Sequence, residues 1–179
     1  NPTAVNLKSN RSGNIAVIVP NISNTFFAKV VGGVETAASK KGFQVITYIS
    51  NESLKLEQQI VELISNGIVD GLLISVSEET QQQRDYDHLH RLLEYEIPVV
   101  LYDRVVEGLE MDMVGVNDKS SIYEAVKFLH SKNSKKVAIV SGLEEIGLGK
   151  NRIDGYVEAC RDLNLPSDKK FIITSKDTE

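Results

Sequence analysis

Asp103 and Arg104 stand side by side at the end of an apolar run, Val99-Val-Leu-Tyr102. A carboxylate accepts two hydrogen bonds at once and a guanidinium donates from a planar fork, so the pair can read a group with adjacent hydroxyls. Asn24, Phe26 and Phe27 form a second set, an amide that donates and accepts followed by two flat apolar faces. Ser75 adds a small hydroxyl and Arg152 a second forked donor. Aromatic faces with a few polar groups are what a sugar or nucleobase site needs. Plainer readings stay open beside this one. Phe26 and Phe27 also suit a hydrophobic staple at a helix start. Asp103 and Arg104 also suit a surface ion pair, worth under about 1 kcal/mol.

Catalytic and cofactor chemistry finds no matching constellation. The segment Pro20 to Phe27 lacks glycine, so its backbone cannot cradle a pyrophosphate. Gly142, Gly147 and Gly149-Lys150 approach a phosphate loop, but the spacing is wrong and Asn151 stands where Ser or Thr should hold magnesium. Ser75 occupies the place where a receiver domain carries its aspartate. His88 and His90 are two apart on an expected helix, face different directions and cannot share a metal. His130 at a helix end is accounted for by the helix dipole. Cys160 falls in the apolar stripe of its helix and reads as core. The expectation is a binding protein without metal or cofactor, not an enzyme.

The elements that must position these residues follow from two alternating periods. Ile15 to Val19 is a continuous apolar run ending at Pro20, as in a strand buried on both faces. Phe27, Val30, Val31, Val34, Ala37 and Ala38 then recur at helical spacing, and Gly42 provides a stop. The unit repeats: Gln44 to Ile49, then a helix with Leu56, Ile60, Leu63 and Ile64 closed by Gly67. Leu72 to Ile74 follows, then a helix with Leu89, Leu92 and Leu93, then Val99 to Tyr102. A polar break, Val105 to Asp112, precedes a second set opening at Met113 to Val116. That set continues with a helix carrying Ile122, Ala125, Val126 and Leu129, strand Val137 to Val140, a helix with Arg152 at its start that carries Ile153, Tyr156, Val157, Cys160 and Leu163, and strand Phe171 to Thr174. Alternating β and α with short connections means parallel strands with right-handed crossovers. The expected fold is α/β: two doubly wound parallel-sheet lobes, the second thin at three strands and incomplete. Ligands in such folds sit beyond the carboxyl ends of the strands, where all the candidate residues fall.

Composition narrows the partners. The chain has 179 residues, 41% hydrophobic and 25% charged, with a net charge of −5. That acidity argues against nucleic-acid binding by the body of the protein. No apolar stretch is long enough to cross a bilayer, and no secretory signal pattern is visible. A single cysteine fits a reducing cytoplasm. The lead-in Asn1 to Gly13 differs, with Lys8 and Arg11 and no acidic residue.

Several runs together resemble the LacI/GalR family of bacterial transcription regulators. They are Ile15-Ala-Val-Ile-Val-Pro-Asn-Ile-Ser-Asn-Thr-Phe-Phe27, Val69-Asp-Gly-Leu-Leu-Ile-Ser75 and Ile97-Pro-Val-Val-Leu-Tyr-Asp-Arg104. Val114-Gly-Val-Asn-Asp118 and Arg152-Ile-Asp-Gly-Tyr156 complete the series, which comes in the family's order and spacing. Thr25 departs from the family's usual proline. The lobes are also similar to periplasmic sugar-binding proteins, so a solute receptor for transport or chemotaxis is the alternative. The segment Asn1-Pro-Thr-Ala-Val-Asn-Leu-Lys8 is similar to the regulators' hinge, which favours the regulator. The resemblance implies that Leu7 wedges into the operator minor groove, Ala4 packs on the partner's hinge and Lys8 meets phosphate. It further implies a helix-turn-helix ahead of Asn1, additional chain after Glu179, and a cytoplasmic homodimer. Its implied boundaries are a hinge over 1–13, a first effector-binding lobe over 14–116 and a partial second lobe over 117–179. The implied effector (a sugar, sugar phosphate or purine) lies between lobes, against Asn24, Phe26, Phe27, Ser75, Asp103, Arg104 and Arg152. A phosphorylated carrier protein serves as corepressor in one subgroup.

Overall fold

A computed structural model describes residues 11–106, 108–142 and 146–174. The expected hinge residues Ala4, Leu7 and Lys8 lie outside the described residues. The chain divides into two compact units, the first ending at Gly115 and the second beginning at Val116.

In the first unit, strands β1 (Asn14–Val19), β2 (Gln44–Ile49), β3 (Leu72–Ile74), β4 (Val99–Tyr102) and β5 (Asp112–Val114) form one sheet in the order β2-β1-β3-β4-β5. Every pairing is parallel. The helices between them are α1 (Thr25–Ser39), α2 (Leu54–Ile64), α3 (Glu78–Gln83) and α4 (Asp87–Glu94). The single helix expected after β3 is thus two, parted by Arg84 in the left-handed region at φ 55.

Burial explains the strand composition. Ala16, Val17, Ile18 and Val19 are all 0% exposed because α1 lies on one face of the sheet and α2 with α4 on the other. One face packs Ala16, Ile18, Leu72, Ile74 and Leu101 against Val61, Ile64, Leu89 and Leu92. The opposite face packs Val17, Val19 and Tyr102 around Phe27, with Val30, Val31 and Val34 of α1 alongside. Most βα loops end on a residue suited to cap a helix. Asn24 accepts from the Phe26 N–H, Ser53 from Leu56 and Ser77 from Thr80, which satisfies otherwise orphaned first-turn donors.

The segment opening at Met113 is a correction. It pairs through β5 with β4, adding a fifth strand to the first sheet rather than starting a second one. The register Val100 with Asp112, Leu101 with Met113 and Tyr102 with Val114 places it beside β4, a partner that a short apolar run does not encode. Among the described residues the second unit therefore has a two-stranded parallel sheet, β6 (Ile139–Ser141) with β7 (Ile172–Thr174), and not three strands. Its core joins Val126 of helix α5 (Asp118–Ser131) to Tyr156, Ala159 and Cys160 of helix α6 (Gly147–Asp162). The Tyr156 hydroxyl donates to the Val137 carbonyl at 2.9 Å. The opposite face of β6 is open, with Val140 72% exposed.

The two helices of this unit meet backbone to backbone. A Cβ at Gly155 would lie 2.1 Å from the Lys119 carbonyl oxygen, so only glycine fits. Gly32 in α1 has nothing near its Cβ position. Gly155→Ala is expected to destabilise the protein by about 3 kcal/mol, the upper range of overpacking. Gly32→Ala should stabilise by about 1 kcal/mol through helix propensity. Urea denaturation of the two variants against the parent checks both signs.

At the amino-terminal edge of the first sheet, the Asp70 carboxylate accepts from Ser12 N at 2.7 Å, Ser12 Oγ at 3.0 Å and Gly13 N at 2.9 Å. Burial pushes its pKa up, but these donors and the Arg11 charge outweigh it and hold the carboxyl below the usual range. A carboxyl depressed on folding adds stability above its unfolded value, near 3.9. That stability disappears as the pH falls through the lower folded value. Asp70→Asn should therefore lower stability at neutral pH, and the gap to the parent should close with acidification below about pH 4. Thermal melts across pH 2–7 test this; a gap that persists at the acid end would contradict it.

Candidate functional site

The first sheet's strand order reverses at β1 and β3, and the loops leaving their carboxyl ends flank the point where doubly wound sheets hold ligands. Four loops meet there, after β1, β2, β3 and β4. Their backbones are locked to β1. The Ser50 N–H donates to the Val19 carbonyl at 3.0 Å and the Ser75 N–H to the Ile18 carbonyl at 3.2 Å. The Tyr102 hydroxyl donates to the same Ile18 carbonyl at 3.0 Å. Burial, with the Asp103 carboxylate close by and Arg104 only partly offsetting it, pushes the Tyr102 phenol far above its ordinary range, so it stays a donor.

Asn24 is the N-cap of α1, its side-chain oxygen accepting from Phe26 N at 3.0 Å. It is exposed, so its amide N–H donors remain available to a ligand. Phe26 is 47% exposed and Phe27 only 2%. The two rings pack edge to face with centroids 5.2 Å apart, and Phe27 does the same with Tyr102 at 6.4 Å. Phe27 is thus principally core and Phe26 the available aromatic face. Ser75 is fully buried, and its Oγ has no hydrogen-bond partner among the described residues. Asp103 sits at φ 58, in the left-handed region, where the chain bends directly after β4.

Arg104 corrects the surface-pair reading. It is only 6% exposed, and its partner is Glu52, fifty-two residues earlier in the chain. Nη1 reaches Glu52 Oε2 at 2.5 Å and Nη2 reaches Oε1 at 2.9 Å, a two-pronged pair. The guanidinium carbon lies 5.9 Å from the centre of the Phe27 ring. In the second unit Arg152 lies within α6, not at its first residue, and its Nε donates to Asp118 at 2.6 Å.

Three residues of this region escape a reading of strand-end motifs. Glu52 is one; its only sequence signal is a carboxylate in the short polar stretch Asn51-Glu-Ser53 between β2 and α2. Ser50 is another, buried on the opposite side of β1 from Ser75, its Oγ likewise without a hydrogen-bond partner among the described residues. The third is Glu57, 0% exposed in α2, which accepts from Ser77 N at 2.6 Å, Thr80 Oγ1 at 2.8 Å and His88 Nε2 at 2.9 Å. His88 is thus a core ring tied to a carboxylate. Among the described residues no group of three or more His, Cys, Asp or Glu side chains is arranged to hold a metal. Nor is any helix among them long and apolar enough to cross a membrane.

Known proteins share both the sequence pattern and this architecture. The family model described as periplasmic binding proteins and sugar binding domain of LacI family matches residues 12–179. The HTH-type transcriptional repressor CytR of Escherichia coli is 27% identical over 176 residues, covering 96% of this chain and 49% of that protein. The HTH-type transcriptional repressor PurR of Vibrio atlanticus is 28% identical over 174 residues, covering 96% and 51%. The crystal structure of the transcription regulator CcpA of Lactococcus lactis superposes with a TM-score of 0.75 at 25% identity, covering 90% of this chain and 58% of that one. The chain spans about half the length of the curated relatives it matches. A five-stranded sheet reversing at β1, polar loops gathered at that reversal and a family match over nearly every residue lead to one assignment: the chain belongs to the family of periplasmic binding proteins and LacI-type sugar-binding domains.

Proposed function

We propose that this chain is the effector-sensing core of a cytoplasmic, DNA-binding transcriptional repressor. The observation that carries the reading is the cluster at the reversal of the first sheet. There two buried hydroxyls, Ser50 and Ser75, have no hydrogen-bond partner among the described residues, beside an exposed aromatic face and the Asp103-Arg104 bend. Buried hydroxyls are nearly always satisfied, and those that are not mark places where a further polar group belongs. The effector is a small polar molecule contacted in the first unit by Asn24, Phe26, Ser75, Asp103 and Arg104, while the role of Arg152 rests on the family resemblance alone. Phe27 shapes the first-unit contact from beneath by packing under Arg104. The similarity to CytR and PurR, both HTH-type repressors, favours gene control over solute transport.

Control then requires that the effector bind one conformational state of the sensing core more tightly than another. The resulting change in operator affinity is limited to that difference, typically about 1–3 kcal/mol. Ala4, Leu7 and Lys8 are assigned to the DNA hinge of a homodimer, with base reading by a helix-turn-helix elsewhere in the regulator.

A thermal-shift screen of sugars, sugar phosphates and purines on the full chain tests the sensing role. A ligand at a hundred times its Kd adds about 2.7 kcal/mol to stability and raises the Tm. Asp103→Ala and Arg152→Ala are expected to weaken the responding ligand tenfold or more, while Lys132→Ala on the second unit leaves it unchanged. If no compound raises the Tm, the sensing role fails. If a ligand is found and both site variants retain parental affinity, the placement of the site fails.

A further inference from the structure

The charge balance of the effector residues carries information about the effector itself. Arg104 and Arg152 are the two cations assigned to it, and each is already paired within its own unit. Arg104 is held by both oxygens of Glu52, and Arg152 donates to Asp118. Asp118 is itself 9% exposed, so this second pair is also shielded on its acidic side. In the loops after β1, β2, β3 and β4, Arg104 is the only positively charged residue among those described, whereas Glu52 and Asp103 are both negative.

Glu52 is built into its position. Asn51 and Glu52 both occupy the left-handed region, at φ 50 and φ 59, which asparagine tolerates readily but which is uncommon for a glutamate. What holds Glu52 is a set of three donors. Its carboxylate takes two from Arg104 and one from the Glu78 N–H at 2.9 Å, at the start of α3. Its carbonyl accepts the Glu79 N–H at 3.4 Å. The loop after β2 thus delivers a fixed negative charge to the one buried guanidinium.

A guanidinium with two of its five donors on a carboxylate keeps three N–H groups for hydroxyl oxygens, but its charge is compensated. A phosphate brought to it meets a neutralised pair with the Asp103 carboxylate adjoining. From this we propose that Glu52 sets the charge class of the effector: the ligand is an uncharged molecule with neighbouring hydroxyls, and its phosphate esters are rejected. Asp103 accepts from those hydroxyls and Arg104 donates to them. This rests on the sensing role proposed above.

The test measures matched pairs on the full chain by thermal shift and titration calorimetry: ribose with ribose 5-phosphate, fructose with fructose 1-phosphate, and cytidine and inosine with their 5′-monophosphates. The expected result is saturable binding of at least one unmodified member, with its phosphate ester weaker by tenfold or more. The sugar and nucleoside arms separate the two sources of vicinal hydroxyls. An ester that binds as well as its parent or better overturns the charge assignment and leaves the sensing role standing. No binding by any compound overturns both. Glu52→Gln releases the Arg104 charge and should shrink the discrimination at least fivefold in favour of the ester. Glu52→Asp, which retains the carboxylate, should keep discrimination near that of the parent. An unchanged ratio in Glu52→Gln, or the same loss in both variants, overturns the role of Glu52. The comparison of esters in the unsubstituted protein stands whether or not either variant folds.

Discussion

The burial of β1 between two parallel neighbours is the constraint on which the first unit rests. Its carbonyls and amides are shared between β2 and β3, and its side chains from Ala16 to Val19 have no contact with solvent. A strand in that position has one orientation and one register, since a slip by one residue would exchange the side chains facing α1 with those facing α2 and α4. Because all five strands are parallel, fixing β1 also fixes which end of the sheet receives the loops. The carbonyls of Ile18 and Val19, the last turns of that strand's ladder, then hold Ser50, Ser75 and Tyr102 in place. The polar cluster is a consequence of an apolar strand.

The loops beyond the sheet are stabilised by buried or half-buried carboxylates rather than by glycine-rich turns. Glu52 binds Arg104 and the start of α3, Glu79 accepts the Leu54 N–H at 2.8 Å, and Glu57 gathers Ser77, Thr80 and His88. Each carboxylate ties together segments 20 to 52 residues apart in the chain. Removing such a group leaves several donors unsatisfied in a low-dielectric interior, which is costlier than the net gain of forming the bonds suggests. The result is a loop surface that is polar in composition yet fixed in shape.

Much of this architecture is legible in the sequence because it depends on local periodicity. The run Ile15 to Val19 and the stripe Phe27, Val30, Val31, Val34 announce a buried strand and the helix covering it, and the caps Asn24 and Ser53 lie where the loops end. The assignment of Met113 to a second sheet failed because an apolar triplet carries no record of its neighbour; only the pairing of Leu101 with Met113 reveals it. Ser75, Asp103 and Arg104 are visible as candidates because they follow apolar runs directly. Glu52 is not, since its role needs a left-handed backbone and a partner far along the chain, neither of which a motif encodes. Phe27 is legible as the head of that apolar stripe, but its difference from Phe26, buried against exposed, is fixed only once the helix is docked. Gly155 looks in sequence like any helical glycine, and its necessity comes from the carbonyl of Lys119 on another helix.

The sheet order also dictates how the protein emerges from the ribosome. Ile18 pairs with Tyr48 on one side and with Ile74 on the other, 56 residues later, and no two strands of the sheet are joined by a hairpin. At a synthesis rate of about 5–20 residues per second, the most apolar segment of the chain waits about 3–11 s for its second neighbour. During that interval Ile15 to Val19 keeps one edge unpaired, a charge-free β segment of the kind that self-associates. Parallel pairing of this kind puts long-range closure ahead of the contacts that reward it, a topology that slows folding relative to helical bundles of the same size. Yield on overexpression should then respond more to translation speed and chaperone supply than to changes on the protein surface.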